Sequence, residues 1–134
     1  MKAINSWRHK AGSRYYGSSC HTTRREEMDV QTIELDAYVI DTLMGDLVGH
    51  DHQPSAFLVY LFLWRRTRGE GVEEAAVSLR EIADGTGLSR RGVQDALARL
   101  VQRRLIDSAR ESITAVPRYR VHRPWLRWMQ AAGE

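Results

Sequence analysis

The chain has a single cysteine, Cys20, so it can form no intrachain disulfide and no Cys-rich metal site. No apolar stretch approaches the roughly 20 residues needed to span a bilayer. The longest, Ala56 to Trp64 (AFLVYLFLW), reads instead as a buried helix. Hydrophobic signal-peptide character is missing from the first residues, and the expected location is therefore the cytoplasm. Lysine is scarce beside arginine, which carries most of the positive charge. Glycine-rich phosphate loops, nucleophile elbows and metalloprotease motifs are all lacking. The one cluster with metal-ligating residues is His50-Asp51-His52, and it lacks the third and fourth ligands that a site needs. Cys20 lies beside His21, but adjacent residues rarely face one another productively. Neither catalysis nor a bound metal or cofactor is expected, and no small-molecule pocket is inferred.

What is present fits one domain with a tail in 134 residues. Charge is segregated along the chain. From Thr32 to Leu58 there are Glu34, Asp36, Asp41, Asp46 and Asp51 with no Lys or Arg, whereas Ser78 to Arg127 holds eleven arginines against five acids. The second half is suited to a polyanion. Arginine-rich composition alone would produce the same surplus.

Residues 1–31 show no helical or strand period and mix Gly, Ser and Thr with Lys2, Arg8, Lys10, Arg14, Arg24 and Arg25. They read as a poorly ordered basic extension, either a DNA-contacting arm or a non-native start. Trp7, Tyr15 and Tyr16 are the groups there able to dock. The domain is expected over 32–134.

Its first helix is expected with Asp36 as N-cap, Ile40, Leu43, Met44, Leu47 and Val48 at helical spacing, and Gly49 as a left-handed C-cap. A second helix should open at Pro54-Ser55, since proline suits the first turn, and run to about Arg68 as the central core helix. Gly69-Glu70-Gly71 makes a turn and Ala75-Ala76-Val77 a short strand.

The stretch VSLREIADGTGLSRRGVQDALARLVQRRLI, Val77 to Ile106, contains two short periodic halves hinged at Gly87. Leu79, Ile82 and Ala83 form the buried face of the first half, which opens at Ser78 or Leu79. Ser89 is a natural N-cap for the second, where Val93, Leu97 and Leu100 fall on one face. That helix should end near Arg103-Arg104. Leu105 to Ser108 then reads as a strand, and Glu111 to Val116 as a loop. Pro117 to Arg123 alternates as a half-buried edge strand, with Tyr119 and Val121 inward and Arg118, Arg120 and His122 outward. A short final helix begins at Pro124-Trp125.

These residues resemble the helix-turn-helix of winged helix-turn-helix DNA-binding proteins of bacterial type, over roughly 77–123. Ala83 stands where such motifs carry a small residue at the helix crossing, and Gly87 where the turn needs a positive φ. Ile82, Leu88, Val93 and Leu97 match buried positions, and LVQRRLI matches the passage into the first wing strand. Arg104 departs from the glycine often found before the final Leu-Ile. The fold implied is mainly α with a small β-hairpin wing, the helix-turn-helix at about 78–104 and the wing at about 105–123.

The function implied is sequence-specific binding of double-stranded DNA by a transcriptional regulator. Its second motif helix would lie in the major groove and its wing on the backbone. Ser89, Arg90, Arg91, Gln94 and Asp95 are the base-reading candidates. Arg80, Arg99, Arg103, Arg110, Arg118 and Arg120 are the phosphate candidates. Positive charge at Arg90 and Arg91 opposes the helix dipole, which a phosphate or base would offset. Asp95 pairs equally well with Arg91 or Arg99. A homodimer is expected, because one recognition helix reads only a short half-site, and Trp125, Trp128 and Met129 either cover the core or join that contact. Two other readings stay open. One is a replication initiator of plasmid or phage type. The other is a winged-helix module that contacts proteins through its acidic stretch and exposed tryptophans, without nucleic acid.

Overall fold

A computed structural model describes residues 30–132, so the expected basic extension, with Trp7, Tyr15, Tyr16 and Cys20, lies almost wholly outside the described residues. Of the described residues, those from 33 onward form one compact unit. Its element order is two π-helical segments (Val39–Leu43 and Gly45–His50), α1 (Pro54–Arg66), a 3₁₀ turn (Arg68–Glu70), β1 (Glu74–Ala76), α2 (Leu79–Thr86), α3 (Arg90–Gln102), β2 (Ile106–Ala109), β3 (Arg118–Val121) and α4 (Trp125–Ala132). The architecture is a winged helix-turn-helix, as the sequence led one to expect.

α1 opens with Pro54 at its first turn and buries Ala56, Phe57, Val59, Tyr60, Leu63 and Trp64. Burying each of the larger aliphatic and aromatic side chains stabilises by about 1.5–3 kcal/mol, before the entropy of ordering it. Tyr60 donates its hydroxyl to the His122 carbonyl at 2.9 Å, and Trp64 donates its indole N–H to the Glu34 carbonyl at 2.8 Å. Both ends of the domain are thereby tied to the central helix.

The first helical region departs from the expected α-helix. The Met44 and Asp51 amides bond five residues back, to Val39 and Asp46, and this winding leaves a single buried row, Val39, Leu43 and Leu47. Ile40, Met44 and Val48, expected inside, are exposed. Gly49 is not a left-handed cap; the positive φ falls at His52, at 54°. Asp36 caps nothing with its side chain. Its carboxylate instead receives a bidentate pair from Arg123 (Nε and Nη2, both 2.6 Å) and the Trp125 indole N–H at 2.8 Å. Trp125 is thereby seated in the core, stacked on Tyr38 with ring centroids 4.8 Å apart, while Trp128 and Met129 stay exposed.

The sheet has the order β1-β3-β2, all antiparallel. β3 is therefore the middle strand and not the edge strand expected. Glu74–Ala76 pairs along its free side, with Glu74 opposite Arg120 and Ala76 opposite Arg118. The inward and outward alternation is as expected: Tyr119 and Val121 are buried, Arg118 and Arg120 exposed.

α3 ends in a complete Schellman motif. The Leu105 amide reaches the Leu100 carbonyl at 2.9 Å and the Arg104 amide reaches Val101 at 3.0 Å, with Leu100 and Leu105 both buried. The left-handed residue that this requires is Arg104, at φ 58°, where a side chain is disfavoured. Arg104→Gly should raise stability by about 1 kcal/mol, seen as a melting point roughly 5 °C higher. Gly87, at φ 79° with open space around it, is the converse case. Gly87→Ala should cost about 1–2 kcal/mol without any steric clash. An unchanged melting point in both variants would refute this backbone account.

Burial would raise the Asp36 pKa, but hydrogen bonds from Arg123 and Trp125 and the charges of Arg123 and Arg68 hold it below the ordinary carboxylate value. The carboxylate thus contributes stability above the unfolded aspartate pKa of about 3.9, and that contribution disappears as pH falls through the lower folded value. Asp36→Asn should lower stability by about 2 kcal/mol at neutral pH and flatten the acid limb of a denaturation curve recorded against pH.

Candidate nucleic-acid interface

The two helices of the motif are cut out by their caps. Ser78 and Glu81 form a reciprocal capping box: Ser78 Oγ accepts the Glu81 amide at 3.1 Å and the Ser78 amide donates to Glu81 Oε2 at 2.9 Å. α2 stops where the Gly87 amide bonds the Ala83 carbonyl at 2.9 Å and the chain turns left-handed. Ser89 Oγ then accepts the Gly92 amide at 3.0 Å and starts α3. Gly92 at that position leaves a capping box out of reach, as no carboxylate can return the bond.

α3 buries Val93, Ala96 and Leu100 and half-buries Leu97. Ala83, expected to allow the close crossing, is only half-buried. The tight approach is at Gly85, where an added Cβ would lie 2.2 Å from the Phe62 ring of α1. Gly85 stands two residues before the hinge glycine, and its place in the sequence read only as part of the turn.

Burying that face turns Arg90, Arg91, Gln94 and Asp95 outward together, all four exposed beside the exposed Ser89. Arg91 Nε lies 3.5 Å from Asp95 Oδ1 across one helical turn, and Arg90 and Gln94 have no ion-pair or hydrogen-bond partner among the described residues. The first turn of α3 contains no acid, so two guanidiniums sit at the positive end of the helix dipole. Ala98 and Gln102 are exposed on the same side, one and two turns further on from Asp95, and neither stood out in the sequence because neither is charged.

The remaining arginines divide by their partners. Arg99 donates from Nε to Gln53 Oε1 at 3.1 Å and from Nη1 to Gln102 Oε1 at 3.4 Å. Arg103 Nε lies 2.8 Å from Asp51 Oδ2, and its Nη1 lies 3.9 Å from Asp46 Oδ2. The Asp51 side chain is only 6% exposed. A hydrogen bond from His50, opposed by burial and helped by the charges of Arg103 and Arg99, keeps its pKa below the ordinary value. Both guanidiniums at the C-terminal end of α3 are thus engaged by side chains of the domain. Arg80 makes a loose surface pair with Asp84 at 3.8 Å.

On the outer sheet face the register forms two rows. Arg120 stands between Glu74 and Asp107, and bonds Glu74 Oε1 at 2.9 Å. Arg118 stands between Ala76 and Ala109 and is exposed without an acidic neighbour in its row. Arg110 donates to the Ile113 carbonyl at 3.3 Å in the loop between β2 and β3. Of the three wing arginines, Arg120 is neutralised and Arg118 is not.

The His50–Asp51 contact is a pair at 2.9 Å, and among the described residues no group of three or more His, Cys, Asp or Glu side chains is arranged to hold a metal. No described helix is long and apolar enough to cross a membrane. No curated protein and no solved structure matches the chain. Residues 53–106, from the residue before α1 to the first residue of β2, match the family model described as a helix-turn-helix domain. The capped helices flanking a left-handed Gly87 lie inside those bounds, so this part of the chain is similar to the helix-turn-helix domain family in its local geometry as well as its sequence.

Proposed function

We propose that the protein is a transcriptional regulator that binds double-stranded DNA sequence-specifically, as a homodimer, with the N-terminal half of α3 in the major groove. The observation that carries this reading is the acid-free first turn of α3, which presents Arg90, Arg91 and Gln94 to solvent directly after the Ser89 cap. Arginine can bond guanine bidentately and glutamine can do the same with adenine, so these side chains are equipped to read base edges. Asp95 lies 3.5 Å from the Arg91 guanidinium in an exposed pair that a base or phosphate can displace. Arg118, Arg110 and Arg80 serve as phosphate contacts beside the helix. Arg99, Arg103 and Arg120 belong to the scaffold, because each is engaged at about 3 Å by a side chain from a distant element, whereas Arg80 has only the loose pair with Asp84.

Reversing both charges with Arg90→Glu and Arg91→Glu should weaken duplex binding at least tenfold in low salt. It should also make the dependence of log affinity on log salt shallower, because two cations that face the polyanion are replaced by anions. Fluorescence anisotropy with random and selected duplexes between low and moderate salt measures both. Undiminished binding would overturn the docking mode and favour a protein-contacting module.

Arg103→Gln should behave differently. Loss of its partner leaves the Asp51 carboxylate buried, at a cost of about 3 kcal/mol in stability. The salt slope for DNA should stay as in the parent protein, when measured at a temperature where the variant is folded. A variant with parental stability and a shallower salt slope would return Arg103 to the phosphate-contacting set.

A further inference from the structure

A recess of about 320 Å³ lies between the 3₁₀ turn, the end of β3 and the start of α4, away from the proposed reading face of α3. Its lining includes the guanidiniums of Arg68, Arg120 and Arg123 and the imidazole of His122, against one acid, Glu73. Three of these basic groups are held from outside the recess by carboxylates that do not line it: Arg123 by Asp36, Arg120 by Glu74, and His122 by Asp107 at 2.6 Å. Arg68 has no carboxylate within ion-pair distance among the described residues. Its guanidinium rests 5.6 Å from the centre of the Trp64 ring. The single acid of the lining is weakly placed, since the Glu73 side chain is 88% exposed and 3.7 Å from Arg120. The rest of the lining includes the apolar side chains of Val72, Val121 and Leu126.

Arg68 brings to the recess a guanidinium with no acidic partner, and Arg123, held in place by Asp36, leaves little to reorganise when an anion enters. The volume is at the lower end of small-molecule sites. We propose that this recess binds a small organic anion, a carboxylate or phosphate monoester with a short apolar body. The anionic group would be received by Arg68 and Arg123, and the body would lie against Val72, Val121 and Leu126. Arg120 and His122 belong to β3 and its exit, so occupancy bears on the wing. That regulatory consequence rests on the DNA-binding reading, whereas the binding itself does not.

Calorimetry without DNA tests the site, with phenyl phosphate and benzoate as probes and benzyl alcohol as the neutral control. Saturable binding of either anion, with none for the alcohol, is the expected result. Arg68→Ala should weaken it about tenfold, the loss of one charge-assisted contact. Glu73→Gln, an exposed change that leaves the fold intact, should tighten it by removing the competing carboxylate. If neither anion binds in a saturable way up to about 10 mM, the weak end of small-ligand affinity, the proposal is wrong. Binding that neither variant alters would likewise overturn it, by placing the anion elsewhere. Duplex affinity of the same samples, measured separately, reports on the DNA reading independently of either result.

Discussion

The domain depends on enclosing α1. Its segment PSAFLVYLFLWRR is apolar around most of its circumference, so a single partner surface cannot shield it from water. The π-helical region, α2, α3 and β3 all pack on it. α3 contributes Val93, Ala96 and Leu100 to the same core, and Gly85 lets α2 come down directly on the Phe62 ring. A rotation of α3 about its own axis would lift Val93 or Leu100 into solvent at a cost of kilocalories. The face that carries Arg90, Arg91, Gln94 and Asp95 is therefore set by the hydrophobic side of the helix, not by anything the polar residues do themselves.

The parts legible in the sequence are those encoded within a few residues. Pro54 marks the start of α1, Ser89 and Gly87 the boundaries of α3 and α2, and the Tyr119–Val121 alternation the two faces of β3. The parts that were not legible depend on partners far along the chain. Whether β3 is an edge or a middle strand is decided by Glu74–Ala76, more than 40 residues earlier, and three residues of small or acidic type announce no partner. Asp36 looks the same in sequence whether it caps a helix or receives Arg123 and Trp125 from 87 and 89 residues away. Arg104 shows the opposite limit. The sequence already marked it as misplaced for a helix end, and the chain adopts the left-handed turn there because the Leu105 and Arg104 amides and the buried Leu100–Leu105 pair together outweigh the local cost.

Charge segregation along the sequence has a structural meaning different from the one its pattern first suggests. Eleven arginines in the second half look like a uniform polyanion-binding surface, and five acids in the first half look like a separate acidic face. In the fold, the acids of the first half reach across to particular arginines of the second. Asp36 takes Arg123, and Asp46 and Asp51 take Arg103, while Glu74 takes Arg120. Each of these arginines lies away from the first turn of α3. The carboxylates thus sort one class of cation from another: some arginines are paired across the fold, and Arg90 and Arg118 are exposed with no acidic partner among the described residues. A net-charge count weighs both classes alike, and only the pairing separates them. In the recess beside β3, Asp36, Glu74 and Asp107 likewise fix Arg123, Arg120 and His122, which leaves Arg68 as its cation without an acidic partner and Glu73 as the only acid of the lining. Pairing within the fold therefore leaves unbalanced cations in two places, Arg90 on the outer face of α3 and Arg68 at that recess.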